Sequence, residues 1–125
     1  MKSQTISLND TALDWAVATC DGLFETGMAS IKDGLVYVSD HGVFKPSIDW
    51  AIGGPIIQDQ LISIVLARPA EDGRPALWYA NKYLGLITAP PRTHGPTALV
   101  AAMRCFVQWK MGDEVEVPDD LVGHA

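Results

Sequence analysis

The stretch Gly95-Pro96-Thr97-Ala98-Leu99-Val100-Ala101-Ala102-Met103-Arg104-Cys105-Phe106-Val107-Gln108-Trp109-Lys110-Met111-Gly112 decides the fold. Leu99, Ala102, Met103, Phe106 and Val107 recur at helical spacing and make one broad apolar face. Gly95-Pro96-Thr97 supplies the start, with Gly95 and Thr97 as caps and Pro96 in the first turn. Gly112 supplies the stop, and Lys110 in the last turn complements the helix dipole. A long helix with such a face needs a sheet to lie on.

Upstream, that sheet is legible. Leu61 to Arg68 is rich in Ile, Val and Leu and reads as the strongest strand. The turn Ala70-Glu71-Asp72-Gly73 returns the chain through Ala76 to Asn81 as its partner, a weaker strand follows at Leu84 to Thr88, and Pro90 and Pro91 end the ladder. Earlier, Met28 to Ile31 and Leu35 to Ser39 flank Lys32-Asp33-Gly34, whose Asp-Gly pair suits a tight hairpin. A first helix at about Asn9 to Asp21 carries Leu13, Ala16, Val17 and Cys20 on one face, with Leu8 as a staple and Gly22 as a stop. Between hairpin and strongest strand, Asp40 to Gln60 is polar and broken by Gly and Pro. There Ser47-Ile48-Asp49-Trp50 caps a short helical turn ended by Gly53-Gly54-Pro55. The expected fold is α+β: an N-terminal helix, an antiparallel sheet of roughly three to five strands, and a long C-terminal helix packed on it. Residues 1–112 form one domain, and the acidic tail from Asp113 to Ala125 is expected to be loosely attached.

Bulk properties narrow the function. A chain of 125 residues with 48% hydrophobic and 19% charged residues folds as one ordinary domain rather than staying disordered. The net charge of -6 repels phosphate backbones, and the nine Lys and Arg are scattered without forming a stripe, so duplex nucleic acid is not an expected partner. The amino terminus lacks a signal-like apolar stretch, and no apolar run approaches the roughly 18 residues of a membrane span. These features point to the cytoplasm and to no membrane partner, and leave the oligomeric state open. Cys20 and Cys105 have no metal or redox spacing and read as small core residues.

No catalytic constellation is visible. His41, His94 and His124 fall on loops or the tail and read as solvated side chains. The expectation is therefore not an enzyme, with no catalytic residue, metal site or cofactor. Asp14 reads as a helix-surface or capping residue. Asp49 either closes its own turn, with Trp50 in the core, or orients a ligand beside Gly53 and Gly54, which permit close backbone approach. Core packing accounts for most of the four tryptophans, Trp15, Trp50, Trp78 and Trp109, while any on a concave surface would offer a stacking face. The start of the long helix is a potential anion site, with Arg92 and Thr97 as extra donors. Arg104, two turns on, faces either that site or the far side. The candidate ligand-binding set is therefore Ser47, Asp49, Trp50, Gly53, Gly54, Arg92, Thr97 and Arg104, on condition that the fold brings the two loops to the same end.

Four blocks stand out together. They are Ala12-Leu13-Asp14-Trp15-Ala16-Val17-Ala18; Asp49-Trp50-Ala51-Ile52-Gly53-Gly54-Pro55-Ile56-Ile57; Gly95-Pro96-Thr97 with Ala101-Ala102-Met103-Arg104-Cys105-Phe106-Val107; and Gly112-Asp113-Glu114-Val115-Glu116-Val117-Pro118. In these the chain resembles the phage NinX-like family, over about half of its residues and in the family's order. It departs from the pattern between Leu61 and His94, where Arg74-Pro75-Ala76-Leu77-Trp78-Tyr79 stands in place of a tryptophan-bearing strand pair. The resemblance implies an accessory role for a phage or prophage in the host-cell cytoplasm. Joined to the residues above, it leads to a non-catalytic protein that binds a small anionic or nucleotide-like ligand and so counters a host defence signal. The alternative is an acidic protein that masks a host or phage protein, with an enzyme third.

Overall fold

The computed structural model describes residues 1–39, 42–82 and 93–122. In chain order it contains β1 (Lys2–Gln4), a 3-10 turn (Thr5–Ser7), α1 (Asp10–Cys20), β2 (Ala29–Lys32), β3 (Leu35–Val38), β4 (Gly42–Val43), α2 (Trp50–Asp59), β5 (Ile62–Arg68), β6 (Leu77–Lys82), β7 (Thr93–Gly95), α3 (Ala98–Met111), β8 (Glu114–Glu116) and α4 (Asp119–Val122). The fold is α+β, with its strands divided among three antiparallel sheets, β1-β8, β2-β3-β4 and β5-β6-β7. The expected strand at Leu84 to Thr88, and Pro90, Pro91, His41, Arg92 and His124, lie outside the described residues.

α3 is bounded much as its sequence predicts, with one change. Thr97 is the N-cap, its Oγ1 accepting from the Val100 N–H at 3.1 Å, so Pro96 precedes the cap and stands outside the first turn. Gly112 closes the helix at φ 89, a conformation that favours glycine. More than one face of α3 is covered: every residue from Ala98 to Val107 is buried. The sheet β5-β6-β7 lies on one side, and α1, α2 and β8 pack against the rest. The helix is thus the axis of the core rather than a lid on a sheet, which explains its run of small and apolar residues all round.

Both hairpins form. In β2-β3 the register pairs Lys32 with Leu35, and Asp33 and Gly34 take φ 53 and 75, as a two-residue primed turn requires. β5 and β6 pair antiparallel, with Ile64 opposite Ala80. Leu61 has φ 55 and so cannot extend the strand, which starts one residue later than expected.

Three segments differ from their sequence reading. α2 continues through Gly53-Gly54-Pro55 instead of ending there. Pro55 deprives only the Ala51 carbonyl of its helical donor, and Ala51 is an exposed residue, a position where a lost helical bond costs least. Residues Thr93–Gly95 form β7 against β6 rather than a loop. Thr93 Oγ1 donates to the Ala101 carbonyl at 2.9 Å, and a Cβ on Gly95 would stand 2.9 Å from the Ala101 nitrogen. Lacking one, Gly95 lets the strand touch α3 directly.

The acidic tail is anchored, not loose, up to α4. Lys2 pairs with Glu116 and Gln4 with Glu114, while the Met1 amino group donates to the Val117 carbonyl at 2.6 Å and Thr5 Oγ1 to Gly112 at 2.6 Å. Val115, Val117 and Leu121 are buried as Glu114 and Glu116 face solvent. The alternation that makes the segment look acidic is that of a half-buried strand.

Candidate functional site

A cleft of about 390 Å³ opens where the start of α2, one end of β6 and the start of α3 meet. Trp50 and Trp78 form its aromatic walls, Ser47 and Ile48 one rim, and Pro96 and Thr97 the other. The two loops singled out in the sequence therefore share one concavity.

Local chemistry builds it. Asp49 is the N-cap of α2, its Oδ1 accepting from the Ala51 N–H at 3.0 Å, and this sets the direction in which Trp50 leaves the helix. Trp50 is 54% exposed, so the reading that placed it in the core is corrected. Gly53 brings α2 against α3: a Cβ there would lie 2.5 Å from the Pro46 carbonyl oxygen and 2.7 Å from Leu99 Cδ2. Its close approach serves the protein's own packing, not a ligand's. At Gly54 a Cβ would meet only the Trp50 ring, at 3.8 Å, an ordinary contact. Thus Asp49 closes its own turn and the two glycines lie inside a helix, away from the part expected of them.

Ser47 is buried and is held by Asp14, whose Oδ1 accepts its N–H at 3.0 Å. Asp14 is 4% exposed, a correction of its reading as a surface residue. It lies one turn before Ala18, which is also buried, so its stripe of α1 turns inward. Burial pushes its carboxyl up to about 6, against the opposing pull of the Ser47 hydrogen bonds and of Lys45.

Arg104 takes neither of the two orientations considered. It points into the core, 8% exposed, with Nε donating to the Leu8 carbonyl at 2.7 Å and an Nη donating to the His94 carbonyl at 2.8 Å. These carbonyls make it a clamp between the 3-10 turn and β7, which sits beside the cleft rim without placing the guanidinium in it. Thr97 remains at the rim, and a hydroxyl that accepts one bond still carries a proton to donate. Arg92 lies outside the described residues.

Sequence reasoning did not assign Trp78 to the site. Its signal was alternation: Trp78 and Ala80 share the face of β6 that carries Ile64 and Leu66 across the ladder, the face packed on α3. Of the other tryptophans, Trp15 packs at the edge of the core and Trp109 is 46% exposed, with Lys82 Nζ 5.2 Å from its ring centre. Core packing therefore accounts for fewer of the four than expected. Both cysteine thiols are pushed up by burial, Cys20 to about 12, so neither has the thiolate character of a nucleophile. His94 is exposed on β7. Among the described residues, no helix is long and apolar enough to cross a membrane.

A search of curated proteins finds no match. The family model for Bacteriophage P22, NinX, matches residues 4–110, which run from the end of β1 nearly to the end of α3 and include every residue lining the cleft. With a match across most of its 125 residues, the chain belongs to the bacteriophage P22 NinX family.

Proposed function

We propose that this chain is a non-catalytic phage accessory protein that binds a small planar anion, nucleotide-like in shape, in the cleft between Trp50 and Trp78, and so withdraws a host defence signal in the cytoplasm. The observation that carries this reading is the meeting of two tryptophans from different elements with the start of α3 on one concavity of about 390 Å³. Tryptophan faces stack on any aromatic ring, at about 1–3 kcal/mol for each base by truncation. The first N–H groups of α3 have no acceptor within the helix and carry its positive partial charge, so an anionic group attached to the ring would lie against Ala98 and Leu99. A partial charge of this kind suits one phosphate or carboxylate better than a chain of phosphates.

Thermal unfolding and tryptophan fluorescence, measured against cyclic and linear nucleotides, test the reading. A ligand at about 100 times its Kd stabilises the fold by about 2.7 kcal/mol. Trp50→Ala should lower affinity roughly tenfold or more while leaving the fold intact, since the side chain is half exposed. The proposal fails if no nucleotide shifts either signal, or if binding survives Trp50→Ala and Trp78→Ala unchanged.

The masking of a basic partner protein is favoured by a different observation. Leu61 and Val65 each stand 57% exposed around β5, and the net charge of -6 would steer a basic protein toward the surface. Retention of Trp50→Ala activity together with loss on Val65→Lys would select that reading.

A further inference from the structure

A second cavity of about 340 Å³ lies between α2 and the hairpin sheet, beside the end of α1. Val38, Phe44, Ile52 and Ile56 give it an apolar floor, with Val38 and Phe44 each 5% exposed. Asp21 and Asp59 stand in the same wall. Asp21 is the C-cap of α1 and Asp59 is the last residue of α2, so two helices end here on a carboxylate.

That is the wrong end of a helix for an acid. A helix C-terminus carries about half a negative charge and is ordinarily complemented by Lys, Arg or His. Neither α1 nor α2 has a basic residue in its last turn. Two carboxylates and two negative helix ends therefore act on one cavity. The ion pairs among the described residues gather instead on Met1 and Lys2, away from Asp21 and Asp59. Asp21 and Asp59 both belong to the exposed surface at the mouth of the cavity, and partial desolvation together with the neighbouring Asp59 pushes the Asp21 carboxyl above its ordinary range, while Lys110 on α3 pulls it back without forming an ion pair.

From this geometry we infer that the cavity binds an organic cation with an apolar stem, an alkylammonium or alkylguanidinium group whose charge lies between Asp21 and Asp59 and whose carbons cover Phe44, Ile52 and Ile56. The apolar floor decides against a hard metal ion, which demands six or more oxygen ligands for calcium and a near-octahedral oxygen shell for magnesium. It equally favours a stem over a bare ammonium, since each methylene buried strengthens binding by about fourfold. Such a cation comes from a free amine or from a Lys or Arg side chain on a partner protein. This site shares no residue with the tryptophan cleft, and stands or falls separately from it.

Amide NMR titrations at low ionic strength test it, with hexylammonium chloride as the probe, hexanol and sodium hexanoate as matched controls, and the peptide acetyl-Ala-Lys-Ala-amide for the side-chain source. Hexylammonium should shift the amides of residues 21–23 and 52–60 saturably, and bind at least about tenfold more tightly than either control. The double variant Asp21→Asn with Asp59→Asn should weaken it by about tenfold or more, with unchanged amides at residues 97–100 confirming the fold. If the double variant does not fold, Asp59→Asn alone is read in the same way. Equal binding of peptide and amine supports a partner's side chain as the source, and binding of the amine alone supports a free small cation. Hexanoate binding as tightly as hexylammonium, affinity unchanged in the asparagine variants, or no saturable shift overturns the inference.

Discussion

Asp14→Asn tests whether the buried carboxylate beside Ser47 works against the fold at neutral pH. An ordinary aspartate near 3.8 stays charged through the physiological range, but burial raises Asp14 to about 6 in the folded chain. This reverses the usual sign for a carboxylate. Between those values the native state holds a proton that the unfolded chain has released, so stability falls as pH rises through the window and levels off above about 6. The full difference of about two pH units corresponds to about 3 kcal/mol, lost progressively from pH 4 to pH 6 and absent above it. Near pH 5 the native carboxyl is about ten parts protonated to one ionised while the unfolded one is almost wholly ionised. The wild type should therefore be roughly 1 kcal/mol more stable there than at pH 8, through this group alone. Asparagine keeps an oxygen for the Ser47 N–H and has no proton to lose. Urea titrations of both proteins between about pH 5 and pH 8, compared as differences, cancel the other carboxylates. The difference should move in the asparagine variant's favour by roughly 1 kcal/mol as pH rises, and Asp14→Ala should show the same pH slope while standing about 1–3 kcal/mol below the asparagine variant at every pH, by leaving the Ser47 N–H unpaired. A difference independent of pH would refute the reasoning, for it would mean that Asp14 titrates alike in the folded and unfolded chain.

Three further outcomes follow from the packing. Gly53→Ala should destabilise by about 1–3 kcal/mol because its Cβ must displace the Pro46 carbonyl and the Leu99 side chain, whereas Gly54→Ala should be neutral or stabilise by up to about 1 kcal/mol; equal effects in urea titrations would contradict the tight contact at Gly53 alone. Phe106→Ala, at a side chain 1% exposed, should cost on the order of 3 kcal/mol or more, and a loss below about 1 kcal/mol would deny its burial. Removing residues 113–125 should lower stability by at least about 3 kcal/mol, since Val115, Val117 and Leu121 are buried and β1 loses its only partner among the described residues; a truncated chain as stable as the full one would restore the loose tail.

Much of the candidate site was legible as separate pieces. The capping residues Asp49 and Thr97 fulfil the capping roles that their types suggest, and the two loops flanking them meet. What the residues do there differs. Gly53 was read for its freedom to approach a ligand, and instead approaches Pro46. Arg104 was left between two surfaces, and instead spends its donors on the carbonyls of Leu8 and His94. Asp14 looked like a surface acid because one turn of periodicity cannot tell which neighbours will cover a stripe. The tail looked unattached because its acidic composition outweighed the alternation of Glu114-Val115-Glu116-Val117.

The sequence by itself determined the elements whose cause is local. The primed turn at Asp33-Gly34 is set by backbone freedom, the start of α3 by the Thr97 cap, its end by Gly112, and the β5-β6 pair by apolar runs about one short turn. Tertiary structure alone decided that α3 is covered all round from Ala98 to Val107, that β1 pairs with β8, that β7 lies against α3 through Gly95, and that Trp50 and Trp78 face one cleft. Most of these join segments that are neighbours only after folding, as in the Arg104 to Leu8 bond across 96 residues. A hydrophobic period states that a face is to be covered. Which distant segment covers it depends on how all the faces are buried at once, and that sum exists only in the packed chain.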